Sequence, residues 1–248
     1  MQFFSKDPGM FYFKNYGIIH ILSILITLGL IILLYIYKDK IKTFKFHDRT
    51  MRWILAIILF LNMIIYYGSE IVMGTYTYME HLPLHFCFIS GFLFMYTLIT
   101  NNKKWFKIVY FFSFAGPLPA IIFPDLIVGP DRFMFWQWYI SHLFFIFSSL
   151  YCLFVLNWKI EKKNMYLSMI YANIIFMSVF IFNLIFKTNY IMTDKLPDFI
   201  MEMFPFTKII DIPILWLEIA GFLSVLIAYI PVILINNKNF QKKNKINM

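Results

Sequence analysis

Short polar stretches divide this chain into a series of long apolar runs. A bilayer crossing needs about 20 mostly apolar residues. Seven runs meet that length: Gly17–Tyr37, Met51–Met73, Leu82–Thr100, Trp105–Phe123, Met134–Asn157, Met165–Phe186 and Pro213–Ile235. The connections between them are short except Lys187–Ile212. That segment carries Asp194, Lys195, Pro197, Asp198, Glu202 and Pro205 among Phe and Met, and reads as an interfacial loop with one or two helical turns. No internal repeat and no linker interrupts the series. The predicted fold is all-α, a single polytopic membrane helix bundle of seven spans over residues 1–248.

Composition points the same way. The 248 residues are 61% hydrophobic and 14% charged, with mean hydropathy +0.72. An ordinary soluble domain is roughly 45–50% apolar and about 25% charged, so this chain cannot cover its surface with polar groups in water. The net charge of +9 would suggest nucleic acid in a soluble protein. Here the basic residues sit between the apolar runs, where topology accounts for them. The loops after the first, third and fifth runs and the C-terminal tail hold sixteen Lys and Arg, and the opposite side holds six. Positive residues favour the cytoplasmic face, so the N-terminus is expected outside and the tail, with Lys238, Lys242, Lys243 and Lys245, in the cytoplasm. The expected location is the cell membrane, a bacterial plasma membrane.

Ionisable groups within hydrocarbon are costly and mark candidate functional positions. With a rise of ~1.5 Å per residue, His20, Glu70, His85, Cys87, His142, Asn183 and Glu218 all fall in the outer halves of their spans. The fourth run agrees, because Gly116, Pro117 and Pro119 break its helix in that same half. Irregular backbone at membrane depth is tolerated where it faces protein or a water-filled cavity. A polar cavity open towards the outside or the outer leaflet is therefore expected. Bland readings stand beside these: His81 as an exposed loop residue, Asn62, Asn173 and Asn183 as interhelical hydrogen-bonding residues, and Trp136 and Trp138 as interfacial belt residues. Cys87 and Cys152 lie near opposite ends of their spans, too far apart for a disulfide.

A thiol becomes a strong nucleophile when a neighbouring base takes its proton. Spacing of two residues on a helix points His85 and Cys87 to different sides, unless Pro83 leaves the first turn irregular. His142 comes from another helix at similar depth. The expected catalytic set is Cys87 as nucleophile, His142 as general base and His85 positioning the substrate or its oxyanion. His20, Glu70, Glu218 and Asn183 are candidate substrate-binding or orienting groups. Such a pair opening to the outer leaflet suits acyl transfer, since a lipid ester reaches it laterally.

The run His81-Leu-Pro-Leu-His85-Phe-Cys87 looks like the Leu-Pro-Leu-His-x-Cys signature of the YwaF-like bacterial integral membrane proteins. Tyr139-Ile-Ser-His142 resembles that family's histidine-bearing span, and Asn189-Tyr190-Ile-Met, Pro213-Ile-Leu-Trp and Tyr229-Ile-Pro231 resemble its C-terminal third. This bacterial group is similar to the eukaryotic transmembrane protein 164, an acyltransferase that remodels ether phospholipids and depends on a cysteine. The resemblance implies that Cys87 matches that cysteine, with His142 as its partner.

Three readings follow. The first is a thiol-dependent phospholipid acyltransferase or transacylase whose partners are membrane lipids. The second is a small-solute transporter, which the broken fourth span fits. The third is a metal site of His20, His85, His142 and Cys87, residue types that suit zinc at spacings that carry no metal signature. No cofactor is implied, no metal is assigned, and the sequence selects no oligomeric state.

Overall fold

The computed structural model describes the backbone of residues 2–246 and the side chains of residues 2–236. The tail lysines used for orientation lie outside the described side chains. The chain is all-α: α1 (Ile18–Ile41), α2 (Arg49–Val72), α3 (Phe86–Thr100), α4 (Lys103–Ala115), α5 (Pro117–Ile122), α6 (Phe133–Phe154), α7 (Lys162–Phe186), α8 (Asp198–Met203), α9 (Phe206–Ile209) and α10 (Pro213–Ile246). Among the described residues the β-structure consists of one isolated bridge, Tyr12 to Val128.

Five helical segments are long and apolar enough to cross a membrane: α1, α2, the joined α4–α5 stretch Lys103–Ile122, α7 and Pro213–Asn236 of α10. Their outer faces need lipid. In the most apolar stretch of α7 only 11% of residues are buried, and Ile170, Ile174, Met177, Ile181 and Leu184 stand exposed. So large an apolar surface marks a membrane contact rather than a water-facing side. Two helices are more enclosed. α6 has the length of a span, 22 residues, but Gln137, Ser141, His142, Ser148 and Ser149 lower its hydropathy and most of its residues are buried. α3 has 15 residues, about 22 Å of helix, shorter than the hydrocarbon core.

One helix start differs from the sequence expectation, while a break and a pair of turns fall where they were expected. The third run starts as a helix at Phe86 rather than Leu82, because Pro83 lacks an N–H and disfavours helical backbone before it. His85 is extended (φ −64°, ψ 142°) and occupies the N-cap. The fourth run splits at Gly116 before Pro117 and Pro119. The loop Lys187–Ile212 contains the expected short turns as α8 and α9, after a 3-10 turn at Tyr190–Met192.

Two helices organise the packing. α4 lies against α3, α7 and α10, and α6 lies against α1, α2 and α5. Phe106, Val109, Tyr110 and Phe111 of α4 are fully buried beside Phe145, Ile146 and Leu150 of α6. Polar ties between the helices reach backbone carbonyls. Pro231 removes the donor that would reach Ile227, and the neighbouring Ala228 carbonyl is taken by the Tyr110 hydroxyl at 2.8 Å. Arg52, 6% exposed, donates to Asp48 and to the Leu98 carbonyl at 2.6 Å near the end of α3. It satisfies a group that the helix terminus leaves open.

The two ends of the bundle differ. One end has short turns, fastened by Lys107 and Lys163 on Glu161. These cations, Lys163 first, hold the exposed Glu161 carboxyl down at about 2. The other end gathers the long connections, residues 2–17, 73–85, 123–132 and 187–212, which interlock. Lys6 pairs with Glu70, Met10 N–H donates to Asp131, the Tyr190 hydroxyl meets Tyr78 and Leu82, and Phe123 packs on Phe204. Gly9 and Gly129 of this cap leave no room for a side chain, Gly9 against the Asp131 and Arg132 side chains and Gly129 against the Phe11 backbone. An added Cβ would stand 1.8 Å from the Asp131 carboxylate or 2.1 Å from the Phe11 carbonyl.

Candidate functional site

The geometry is set by one close approach. Gly91 of α3 faces Phe145 of α6, and an added Cβ would lie 2.8 Å from the phenyl tip and 3.8 Å from the Met63 sulfur of α2. Cys87 lies one turn from Gly91 towards the cap, about 6 Å along the axis, and His142 lies about 4.5 Å from Phe145 in the same direction. Tyr66 and Tyr67 lie at the matching distance beyond Met63, because α2 runs the opposite way. Residues three or four apart share a helix face. Cys87, His142 and Tyr67 thus occupy one layer between α2, α3 and α6. Among the described residues no hydrogen bond or ion pair joins Cys87 to His142.

The broken fourth span braces this layer. Gly116, at the break, stands against Phe86 and the backbone of Cys87, with 3.7 Å from an added Cβ to the Cys87 nitrogen. A helix as short as α5 leaves its terminal carbonyls without intrahelical donors. Here side chains supply them. Trp138 Nε1 donates to Ala120 at 2.9 Å, and His20 Nε2 donates to Ile121 at 2.9 Å. Trp138 in turn holds His142. The Trp138 carbonyl accepts the His142 Nδ1–H at 2.7 Å, and the rings touch at a tilt of 50° with centroids 4.8 Å apart. Trp138, which reads in sequence as a belt residue, is an internal brace.

Each remaining candidate has a defined place. His20 is fully buried with both ring nitrogens engaged, Nδ1 accepting from the Tyr16 N–H at 2.9 Å. Asn183 uses both ends of its amide: it donates to the Tyr190 carbonyl and Thr193 and accepts from Thr188 and the Tyr190 N–H. These bonds hold Tyr190, whose ring meets His85 edge-on at 5.1 Å. They also hold Ile191 at φ +58°, a left-handed conformation that strains a β-branched residue. From there its N–H reaches His85 Nδ1 at 3.4 Å. Glu218 pairs with Asn173 of α7 at 3.4 Å and meets none of the other candidates among the described residues.

Glu70 centres a second cluster nearer the cap. It is 2% exposed, and its Oε2 accepts from Lys6 at 2.7 Å, His81 at 3.1 Å and Thr75 at 2.5 Å. His81 corrects the sequence reading of an exposed loop residue. It is 3% exposed, with Nδ1 on the Thr77 backbone and Nε2 on the Glu70 carboxylate. Beside it lies a cavity of about 220 Å³ lined by Lys6, Asp7, Ser69, Glu70, Thr75 and Phe133. A cavity thus exists at the end of the long connections, but its wall is Glu70 rather than Cys87.

Tyr67, Tyr190, Trp138 and the His81–Glu70 pair escape sequence reasoning. Aromatic residues near span ends look like belt residues, and a pairing between distant elements leaves no spacing to read. Among the described residues no three His, Cys, Asp or Glu side chains converge as a metal site, so the four residues of the metal reading form no such group. Both cysteines are free.

These features define a multi-pass helical membrane protein with a thiol and an imidazole at one level inside its bundle. The chain belongs to the TMEM164 family, whose model matches residues 11–229. No curated protein and no solved structure matches it.

Proposed function

We propose that this protein is a membrane-embedded phospholipid acyltransferase that carries the acyl group on Cys87, with His142 as general base. One observation carries the reading: the Gly91–Phe145 contact sets Cys87 and His142 at a common level on neighbouring helices. The hydrogen bond from Nδ1–H to Trp138 supports it, because it leaves Nε2 with the lone pair that a base requires. Cys87 is the second residue of α3. Phospholipid ester carbonyls lie at the hydrocarbon boundary, the depth at which a short helix begins. Family membership is consistent with this activity.

In the first half-reaction the Cys87 S–H proton passes to His142 Nε2 and the sulfur bonds to the ester carbonyl carbon. Collapse breaks the carbon–oxygen bond, and the leaving alkoxide takes the proton from His142 as a lysolipid hydroxyl. In the second half-reaction an acceptor hydroxyl gives its proton to His142 and attacks the thioester. The carbon–sulfur bond breaks and the proton returns to sulfur. His85, held by Tyr190 and Ile191, positions the substrate, and the Glu70 cluster orients groups near the cap.

In this reading α3 and α6 cross the bilayer with the other five segments, giving seven spans. The long-connection end and the N-terminus face outside and the tail lies in the cytoplasm of a bacterial cell, as the Lys and Arg excess favours. The Leu82-Pro-Leu-His-Phe-Cys87 run supports a place among the YwaF-like bacterial members. The test compares membrane lipids from cells expressing the natural chain and Cys87→Ala at matched levels. A shift in acyl composition lost in the variant is expected. Identical lipids in the two strains remove the reading.

A further inference from the structure

Tyr67 points a hydroxyl into the protein and gives it nothing to bond. The oxygen is buried and has no hydrogen-bond partner among the described residues. Buried phenols usually find a partner, and an unpaired one in a packed bundle suits a group that waits for a ligand. Its position is defined by its ring. Tyr67 packs on Phe88, the residue after Cys87, with centroids 5.4 Å apart. The adjacent Tyr66 packs on the same Phe88 at 5.6 Å and turns towards His81 at 6.3 Å. Of the two phenols, Tyr67 is the one whose oxygen is buried without a partner among the described residues. Ser90, one turn along α3 from Cys87, has a second buried hydroxyl without a partner. Unsatisfied O–H groups on two helices around one thiol leave room in the hydrogen-bond count for an incoming polar atom.

We infer that Tyr67 is a catalytic residue of the acyl-transfer site, its O–H donating to the carbonyl oxygen of the bound ester as that oxygen becomes negative. The inference rests on the reading of Cys87 as nucleophile. When the sulfur adds to the carbonyl carbon, the carbon–oxygen π electrons move onto the oxygen, and the Tyr67 hydroxyl bonds to it without giving up its proton. On collapse those electrons re-form the double bond and Tyr67 returns to its unpartnered state. The same donor serves both half-reactions, since each passes through one tetrahedral oxyanion. A donor placed for the oxyanion stabilises the transition state more than the ground state.

The test uses the full chain in vesicles of diacylphospholipid with a lysophospholipid acceptor, comparing the natural protein with Tyr67→Phe and Cys87→Ala. Phe keeps the ring and its packing on Phe88 and removes only the oxygen. Tyr67→Phe is expected to lower kcat about 100- to 1,000-fold, with KM and melting temperature held and both thioester formation and discharge slowed. Natural kcat in Tyr67→Phe while Cys87→Ala is inactive overturns the role of Tyr67 and leaves the nucleophile standing. A loss that tracks a lowered melting temperature also overturns it. Full activity in Cys87→Ala overturns both.

Discussion

Gly91 and Phe145 meet so closely that α3 and α6 touch with the phenyl tip lying where a side chain would begin, 2.8 Å from an ideal Cβ. Glycine is required here for approach rather than for backbone freedom, since Gly91 is an ordinary helical residue. Phe145 is 4% exposed and cannot swing away without opening the core. Everything proposed for Cys87 and His142 depends on this contact, because it sets the distance between their helices.

Gly91→Val tests that dependence. Overpacking costs about 1–3 kcal/mol, here by pushing α3 from α6. The expected result is a protein that still inserts, melts at a lower temperature and loses acyl transfer out of proportion to its folded fraction. Thermal unfolding monitored beside activity checks this. Activity falling only in step with folding would make the contact purely structural.

The Ala120–Trp138–His142 relay gives a second expectation. Trp138→Phe keeps an aromatic ring against His142 and removes the N–H that meets Ala120. Leaving that carbonyl unpaired costs about 1–3 kcal/mol. Because the backbone of Trp138 also holds His142 Nδ1, activity is expected to fall more than stability, with the alkaline and acid limbs of the pH–rate profile changed in slope or position. Activity and pH profile equal to those of the natural chain would free His142 from this brace.

Much of the architecture is readable in advance, and the failures have physical causes. Apolar runs reveal the long helices because lipid imposes length and composition on each separately. The break at Gly116 is visible because proline acts locally. Pro83 acts just as locally, yet its effect on the start of α3 is hidden by the apolar Leu82 and Leu84 around it. Cys87, His85 and His142 stand out as rare polar residues among apolar neighbours. Tyr67 does not, because a tyrosine near a span end is commonplace and only the packed structure shows its hydroxyl without a partner. His81 reads as exposed because the burial comes from Glu70, eleven residues away on another element. Pairings of that kind are set by tertiary packing, which sequence periodicity does not encode.

The Glu70 cluster predicts how the cap is held. Glu70→Gln removes the charge that Lys6 and His81 share, while Met10 with Asp131 and Arg132 with the Asp7 carbonyl remain. Only the first residues of the cap are then released. Limited trypsin digestion in vesicles is expected to cut after Lys6 severalfold faster than in the natural chain, with cleavage at Lys14 little changed. Equal rates at Lys6 in both proteins would show that the ion pair does not secure the segment.

The most direct test of the account is whether acyl groups pass through Cys87. The natural chain is turned over in diacylphospholipid vesicles with a lysophospholipid acceptor, quenched in acid and digested, and its cysteine peptides are weighed by mass spectrometry. The account predicts an acyl thioester on Cys87 that neutral hydroxylamine releases, none on the buried Cys152, and formation slowed about 100-fold or more in His142→Ala. Bare Cys87 during turnover, with acyl exchange at an undiminished rate in Cys87→Ala, would contradict it.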